Sequence, residues 1–203
     1  MKPVYWVYIV VVAIVAIWSG YNAYEMELWF LEAGLCLVGF GFLAATFKRF
    51  KFTDVTYFFI FVEFIILLVG AHYSYARVPL FDWIKDAFDM SRNNYDKVGH
   101  FAQGFVPAFI ARELLIRLDV VRKRSWLPFL VVCICLAISA FYELFEWWGA
   151  LVFTQSAEDF LGTQGYEWDT QSDMFCAMIG AVCMLVFFSR IQDRQINKMV
   201  KSE

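Results

Sequence analysis

The sequence predicts an all-α, polytopic membrane protein, on the basis of three observations. First, 61% of the 203 residues are hydrophobic and 18% are charged, which is too apolar for a soluble domain of this size. Second, the apolar residues form runs of roughly 17 to 25, the length that a helix needs to cross about 30 Å of hydrocarbon. Third, each run is closed by polar or charged residues.

Six such runs predict six transmembrane helices. The first has a thin basic flank, Lys2 alone, and lacks a small-residue cleavage pattern, so we expect a retained span and not a removed signal peptide. No linker or internal repeat interrupts the chain, which predicts a single membrane domain over residues 1–203. The predicted spans cover residues 4–18, 28–47, 55–71, 97–118, 126–153 and 169–188.

Lysine and arginine in the connecting loops predict the orientation, because they prefer the cytoplasmic side. Basic residues follow the second, fourth and sixth spans, whereas the intervening loops are acidic or balanced. Both termini are therefore predicted to face the cytoplasm. This topology accounts for the basic residues, so they give no support to nucleic-acid binding. The basic clusters are Lys48, Arg49 and Lys51; Arg117, Arg122, Lys123 and Arg124; and Arg190, Arg194, Lys198 and Lys201.

The longest predicted outer loop contains a stretch, residues 78–90, in which apolar and charged residues alternate. Leu80, Phe81 and Trp83 are interspersed with Asp82 and Lys85. This pattern is typical of a short amphipathic helix that lies on a membrane surface. We expect it to rest on the outer surface as a lid or a spacer.

Six ionisable side chains lie where the last three spans reach the outer side. Asp96 and His100 are one turn apart at the start of the fourth span, and Glu143 lies about 26 Å along the fifth, near its outer end. Charged groups at membrane depth are costly, so several at one depth indicate a functional site. The six residues are Asp96, His100, Glu143, Glu146, Asp169 and Asp173.

Three interpretations of these six residues stay open. Aspartates in the first turn of a helix can be purely structural, because they cap the helix or interact favourably with its dipole. Glu143 and Glu146 lie near a helix C-terminus, where the dipole disfavours anions, so they need a cation or a proton. Mixed carboxylate and imidazole ligands suit Zn²⁺, Mn²⁺, Mg²⁺ or Fe²⁺, so all six are candidate ligands of a divalent metal. The alternative is a network of ion pairs and hydrogen bonds.

Three functions fit the pattern. One is a membrane enzyme that hydrolyses or transfers a group on a lipid-linked or amphiphilic substrate, with Glu143 or Asp173 as general base and His100 as ligand or acid. Another is an ion- or proton-coupled carrier, which Glu63 in the middle of the third span favours. The last is a non-catalytic envelope protein whose polar residues fix helix packing. Membrane lipids are expected partners in every case.

Three segments resemble the YjdF-like family of bacterial inner-membrane proteins: DKVGHF at 96–101, SAFYELFEW at 139–147 and WDTQSD at 168–173. The resemblance spans nearly the whole chain and implies a multi-pass protein of the bacterial inner membrane. A more distant resemblance is to VanZ-like membrane proteins, which are associated with the cell envelope and glycopeptide resistance. That pattern often continues with Asn before a Gly, where this chain has Ala177 before Gly180. The VanZ-like resemblance falls on Asp96, Lys97, His100, Glu143, Asp169 and Asp173.

Overall fold

The computed structural model describes residues 2–152 and 164–201, which form helices and turns without a strand. The all-α prediction is confirmed. A 3₁₀ turn, Arg124–Trp126, leads into α6, and a π-helical stretch, Met184–Phe188, joins α7 to α8. The helices are α1 (Pro3–Gly20), α2 (Met26–Thr46), α3 (Asp54–Tyr73), α4 (Pro79–Ala87), α5 (Tyr95–Arg117), α6 (Leu127–Val152), α7 (Asp169–Cys183) and α8 (Ser189–Val200).

Five helical stretches are long and apolar enough to cross a membrane: α1, α2, α3, Arg124–Val152 and Asp169–Val200. The polytopic prediction is therefore confirmed. Helix α5 has 23 residues, which is sufficient length, but it carries charged residues in both its first and its last turns. The sixth span at α5 and the orientation of the termini stay predictions. Phe153, the predicted end of the fifth span, lies outside the described residues.

The helix of the last predicted span continues past the end of that span. The helix continues for 12 residues beyond Phe188 as α8, whose sequence is largely polar. It continues because Gln192 and Ile196 are buried on one of its faces. Apolar run length alone does not detect such an amphipathic extension.

Helix α4 lies within the stretch predicted to be amphipathic. It begins with Pro79, whose fixed φ angle suits the first turn of a helix, and none of its residues is buried. Leu80 and Trp83 are both exposed. An exposed apolar face of this kind fits an interfacial helix, and the position of α4 on the outer surface stays a prediction.

Helix α5 is the centre of the bundle and packs most extensively on α7. Their backbones approach closely, since a Cβ atom built at Gly104 would overlap the backbone carbonyl of Ala177, and one at Gly180 would overlap that of Phe101. Small residues permit such close packing of helices in membranes. The contact aligns the first turns of α5 and α7 side by side.

A buried polar group at the other end of α5 joins it to α3 and α8. We call it the Glu113 network, and it consists of Thr53, Thr56, Arg112, Glu113, Arg117, Gln192 and Asp193. The Glu113 carboxylate accepts hydrogen bonds from the Thr53 N–H (2.9 Å), the Thr53 and Thr56 hydroxyl groups (2.8 and 2.9 Å) and Arg117 (3.0 Å). Arg112 donates to Gln192 (3.0 Å) and to Asp193 (2.7 Å). Every charge in this network has a partner.

Candidate functional site

The first turns of α5 and α7 carry aspartates that two cations hold together. Lys97 Nζ lies 2.5 Å from Asp169 Oδ1 and 2.6 Å from Asp173 Oδ1. Arg92, in the loop before α5, contacts Asp169 at 2.5 Å and Asp96 at 3.6 Å. These charge-assisted contacts fix the three aspartates relative to one another.

His100 is the residue at which the three helices meet. Its Nε2 atom lies 3.3 Å from Asp96 Oδ1 and 3.7 Å from Asp173 Oδ1. Its Nδ1 atom faces α6, at 3.8 Å from Glu143 Oε1 and 3.2 Å from Gln103 Oε1. The imidazole is buried and contacts carboxylates on α5, α6 and α7.

Glu143 and Glu146 approach His100 from α6. Thr170 hydrogen-bonds to the Glu143 carboxylate, yet Glu143 Oε1 is buried and lacks a hydrogen-bond partner among the described residues. Neither glutamate forms an ion pair with a lysine or an arginine of the described part of the chain. A buried carboxylate oxygen without a donor is costly, so this position calls for an additional positive group.

A sixth carboxyl group, Glu32 of α2, extends the site. It is buried and accepts hydrogen bonds from the Tyr142 hydroxyl group (2.8 Å) and the Tyr75 hydroxyl group (3.1 Å). The Tyr142 ring packs edge-on against His100, with 5.8 Å between centroids. Burial raises the pKa of Tyr75, which lies in the turn after α3. Its hydroxyl group therefore stays protonated and donates a hydrogen bond to Glu32.

The site carries more negative than positive charge. Six carboxyl groups face two permanent cations, Arg92 and Lys97, and one imidazole, so at least three carboxyl groups lack a cation of the described chain. Protons or a bound cation must compensate for them. We call this site the acidic cluster: Glu32, Arg92, Asp96, Lys97, His100, Glu143, Glu146, Asp169 and Asp173.

Two sets of three residues have ligand atoms close enough to hold one metal ion, all within 4.8 Å of one another. One set is Asp96, His100 and Asp173, and the other is His100, Glu143 and Glu146. The geometry thus brings together five of the six predicted ligands. Asp169 belongs to neither set, and its carboxylate contacts Arg92 and Lys97.

Sequence reasoning did not place Glu32, Arg92, Gln103, Tyr75 or Tyr142 at the site. The signal for Gln103 was present, because it follows His100 by three residues within α5, a spacing at which helical side chains pair. Arg92 lies in the loop before α5, so helical periodicity gave no signal for its contact with Asp96. Tyr75 offered no signal, since its contact with Glu32 depends on the tertiary fold.

The helices and the buried charged residues define a multi-pass membrane protein. The chain belongs to the family described as "Predicted membrane protein (DUF2238)", whose sequence profile matches residues 4–194. It is also similar to the inner membrane protein YjdF of Escherichia coli strain K12, with 47% identity over 185 residues, which cover 91% of this chain and 88% of that protein. No solved structure matches the chain.

These matches confirm the YjdF-like resemblance and the location in the inner membrane. They do not test the VanZ-like resemblance, which stays a prediction. The description of the family and the name of the relative specify a membrane and not a reaction. A function must therefore be argued from the acidic cluster itself.

Proposed function

We propose that the acidic cluster binds one divalent metal ion through His100, Glu143 and Glu146, and that the protein hydrolyses or transfers a group on a lipid-linked or amphiphilic envelope substrate. The observation that carries this proposal is the buried Glu143 Oε1 atom, which faces His100 Nδ1 at 3.8 Å and has no hydrogen-bond donor among the described residues. A metal ion would supply the missing positive charge. Carboxylate and imidazole donors suit Zn²⁺, Mn²⁺ or Fe²⁺, and Mg²⁺ through the carboxylates.

The charge distribution favours this set of ligands over the other. Asp173 Oδ1 already accepts a hydrogen bond from Lys97 at 2.6 Å, and Arg92 lies 3.6 Å from Asp96. A metal at those aspartates would have to displace or tolerate two permanent cations. Glu143 and Glu146 have no such competitor within the described ranges.

Asp96 suits the role of an orienting residue. It lies 3.3 Å from His100 Nε2 and leaves Nδ1 facing the two glutamates. A metal-bound histidine usually donates its second ring N–H to such a carboxylate. Gln103 Oε1, which lies 3.2 Å from Nδ1, would turn aside when a metal binds there.

The chemistry follows from these assignments. A bound metal ion would polarise a phosphoryl or acyl oxygen and acidify a water molecule. Asp173 lies 3.7 Å from His100 Nε2, on the other side of the imidazole from Nδ1, so it is our candidate for a general base that acts through one intervening water molecule while Glu143 serves as a ligand. Of the two bases that the sequence suggested, this assignment selects Asp173, and His100 takes the role of ligand.

The cations of the cluster suit an anionic substrate. Lys97 keeps 17% of its side chain exposed, and both Lys97 and Arg92 lie 5.9 Å from the Tyr166 ring at the edge of the site. Trp147 and Trp168 are exposed near the same edge, as expected of aromatic side chains at a membrane interface. A substrate with a phosphate and an apolar tail would contact both kinds of group.

A proton-coupled carrier is the second candidate, and Glu63 favours it. This glutamate lies in α3, within electrostatic range of Cys36 and Cys135, and has no ion-pair or hydrogen-bond partner among residues 2–152 and 164–201. Together with Glu32 it would continue a line of carboxyl groups from the acidic cluster into the membrane. Such a line is typical of proton relays.

The metal content of the detergent-purified protein, measured by mass spectrometry, tests the proposal. We expect one metal ion per wild-type chain, and none in folded His100→Ala or Glu143→Gln variants. Asp86→Asn is the matched control, because it removes an exposed carboxylate on α4 and should leave the metal content unchanged. The metal-loaded protein is then incubated with lipid-linked phosphates and esters, and product release is followed by chromatography.

Two results would overturn parts of this proposal. Absence of metal from every sample, even after supplementation with Zn²⁺ and Mn²⁺, would refute the metal site. Bound metal without turnover, combined with Glu63-dependent proton uptake in proteoliposomes, would favour the carrier.

A further inference from the structure

Helices α1, α2 and α3 form a wedge at the end of the bundle that lies opposite the acidic cluster. Near the C-terminus of α1, Trp29 Nε1 donates a hydrogen bond to Ser19 Oγ at 2.8 Å and joins α2 to α1. Toward the N-terminus of α1 the helices diverge, and an apolar cavity of about 390 Å³ opens between them. Its walls include Tyr8 and Ile9 of α1, Leu43 of α2 and Phe61 of α3.

A second cavity of about 620 Å³ lies next to this wedge. Tyr5 and Phe47 line both cavities, so the apolar space and the second cavity share a wall. Both volumes fall within the range of ligand pockets, about 300–1,000 Å³. One elongated molecule could therefore occupy both.

The second cavity has a basic lining. Its charged residues are three lysines, Lys2, Lys51 and Lys198, and one aspartate, Asp54. Asp54 is paired with Lys2, whose Nζ lies 2.5 Å from Asp54 Oδ2. Lys51 and Lys198 are exposed and belong to different parts of the chain, the turn after α2 and the end of α8. The lining therefore has an excess of positive charge.

We propose that this wedge binds one anionic phospholipid, with an acyl chain between α1, α2 and α3 and the phosphate at Lys51 and Lys198. Basic pockets between transmembrane helices on the cytoplasmic side recognise anionic head groups, and the basic loops assign this end of the bundle to that side. The apolar cavity distinguishes a lipid from a soluble anion, because only an amphiphile fills both spaces. The proposal is independent of the acidic cluster.

Native mass spectrometry of the full-length protein tests this site, with added phosphatidylglycerol compared with phosphatidylcholine of the same chain length. We expect one phosphatidylglycerol to remain bound and phosphatidylcholine to be lost. The Lys51→Gln/Lys198→Gln double variant should bind phosphatidylglycerol about 30-fold more weakly, since each lysine near an anionic surface contributes about a fivefold factor. The matched control, Arg122→Gln/Lys123→Gln, removes two exposed basic residues outside the cavity and should bind as the wild type does.

A second variant tests the proposed binding site of the acyl chain. Ala44 lines the apolar cavity and is exposed, so Ala44→Trp fills the space without disturbing the core, and it should also weaken phosphatidylglycerol binding. Equal retention of the two lipids, or equal loss in the double variant and its control, would overturn the proposal. Competition by glycerol phosphate together with unchanged binding in Ala44→Trp would indicate a soluble anion and would also overturn it.

Discussion

The two ends of α5 carry buried charged groups that differ in how completely their hydrogen bonds are satisfied. At the C-terminal end, both oxygens of the fully buried Glu113 accept hydrogen bonds, and Arg112 and Arg117 each contact a carboxylate. At the N-terminal end, Glu143 Oε1 has no donor in the described structure, and carboxyl groups outnumber cations. A satisfied network of this kind rigidifies a fold, whereas an incomplete one points to a ligand.

The two ends of α5 therefore have different roles: the Glu113 network stabilises the fold, and the acidic cluster is the candidate binding site. Asp96 and Glu113 lie 17 residues apart on α5, about 26 Å along its axis, so the two groups are physically independent. Variants of the Glu113 network should therefore change stability without changing metal binding. Variants of Glu143 and Glu146 should weaken metal binding without a comparable change in stability.

The largest effect on stability is expected for Glu113→Ala. Removing this carboxylate leaves Arg117 and two threonine hydroxyl groups without their buried acceptor, so we expect the free energy of unfolding in detergent to fall by about 3–5 kcal/mol. Chemical denaturation followed by circular dichroism measures it. Glu143→Ala is the comparison and should lower stability far less; equal losses in the two variants would remove the distinction between the two ends.

Lys97→Gln should lower the free energy of unfolding of the metal-free protein. The substitution leaves Asp169 and Asp173 with less compensating charge, and we expect a loss of about 1.5–3 kcal/mol in metal-free protein. Metal addition should restore more stability in this variant than in the wild type. Lys85→Gln is the control, because its exposed contacts at 3.8 Å contribute little, and thermal denaturation would compare the two. A Lys97→Gln protein as stable as the Lys85→Gln control would contradict the ion-pair assignment.

Gly104→Ala examines the contact that aligns the two helices. A methyl group at this position meets the Ala177 backbone, which cannot move aside cheaply, so we expect a loss of about 1–3 kcal/mol together with weaker metal binding. Gly41→Ala is the matched control, because nothing lies within 4 Å of a Cβ atom there. Unchanged stability and metal affinity in Gly104→Ala would mean that α5 and α7 are not in such close contact.

The last of these effects is a partial loss of metal affinity, expected for Asp96→Asn. If Asp96 orients His100 without binding the metal itself, the substitution should weaken metal affinity by about 10–100-fold without abolishing it. Isothermal titration with Zn²⁺ measures the change, and His100→Ala gives the reference for complete loss. An Asp96→Asn variant that loses the metal altogether would assign Asp96 to the ligand set instead.

Much of this architecture could be predicted from the sequence, because run length and charge are local properties. Helices α1, α2 and α3 begin and end within about two residues of the predicted spans. The end of α8 could not be predicted in this way, because Gln192 is held by buried contacts with Phe109 and Arg112. The helix continues through polar residues there because residues distant in the sequence satisfy their hydrogen bonds.

Most members of the acidic cluster could be predicted, but their pairing could not. Periodicity indicated that Asp96 and His100 share one face and that Asp169 and Asp173 share another. Which carboxylates bind cations depends on how α5 and α7 are aligned, and this follows from the close approach at Gly104 and Gly180. The sequence grouped Asp169 with the candidate ligands, and its contacts with Arg92 and Lys97 depend on this alignment.

Metal binding at the acidic cluster is tested most directly by the thermal stability of purified protein with and without Zn²⁺ or Mn²⁺, for the wild type and for Glu143→Gln. A ligand at 100 times its dissociation constant stabilises the folded state by about 2.7 kcal/mol, so we predict a clear rise in the wild-type melting temperature. We predict no rise for Glu143→Gln. An unchanged wild-type melting temperature, or an equal rise in both proteins, would contradict metal binding at the acidic cluster.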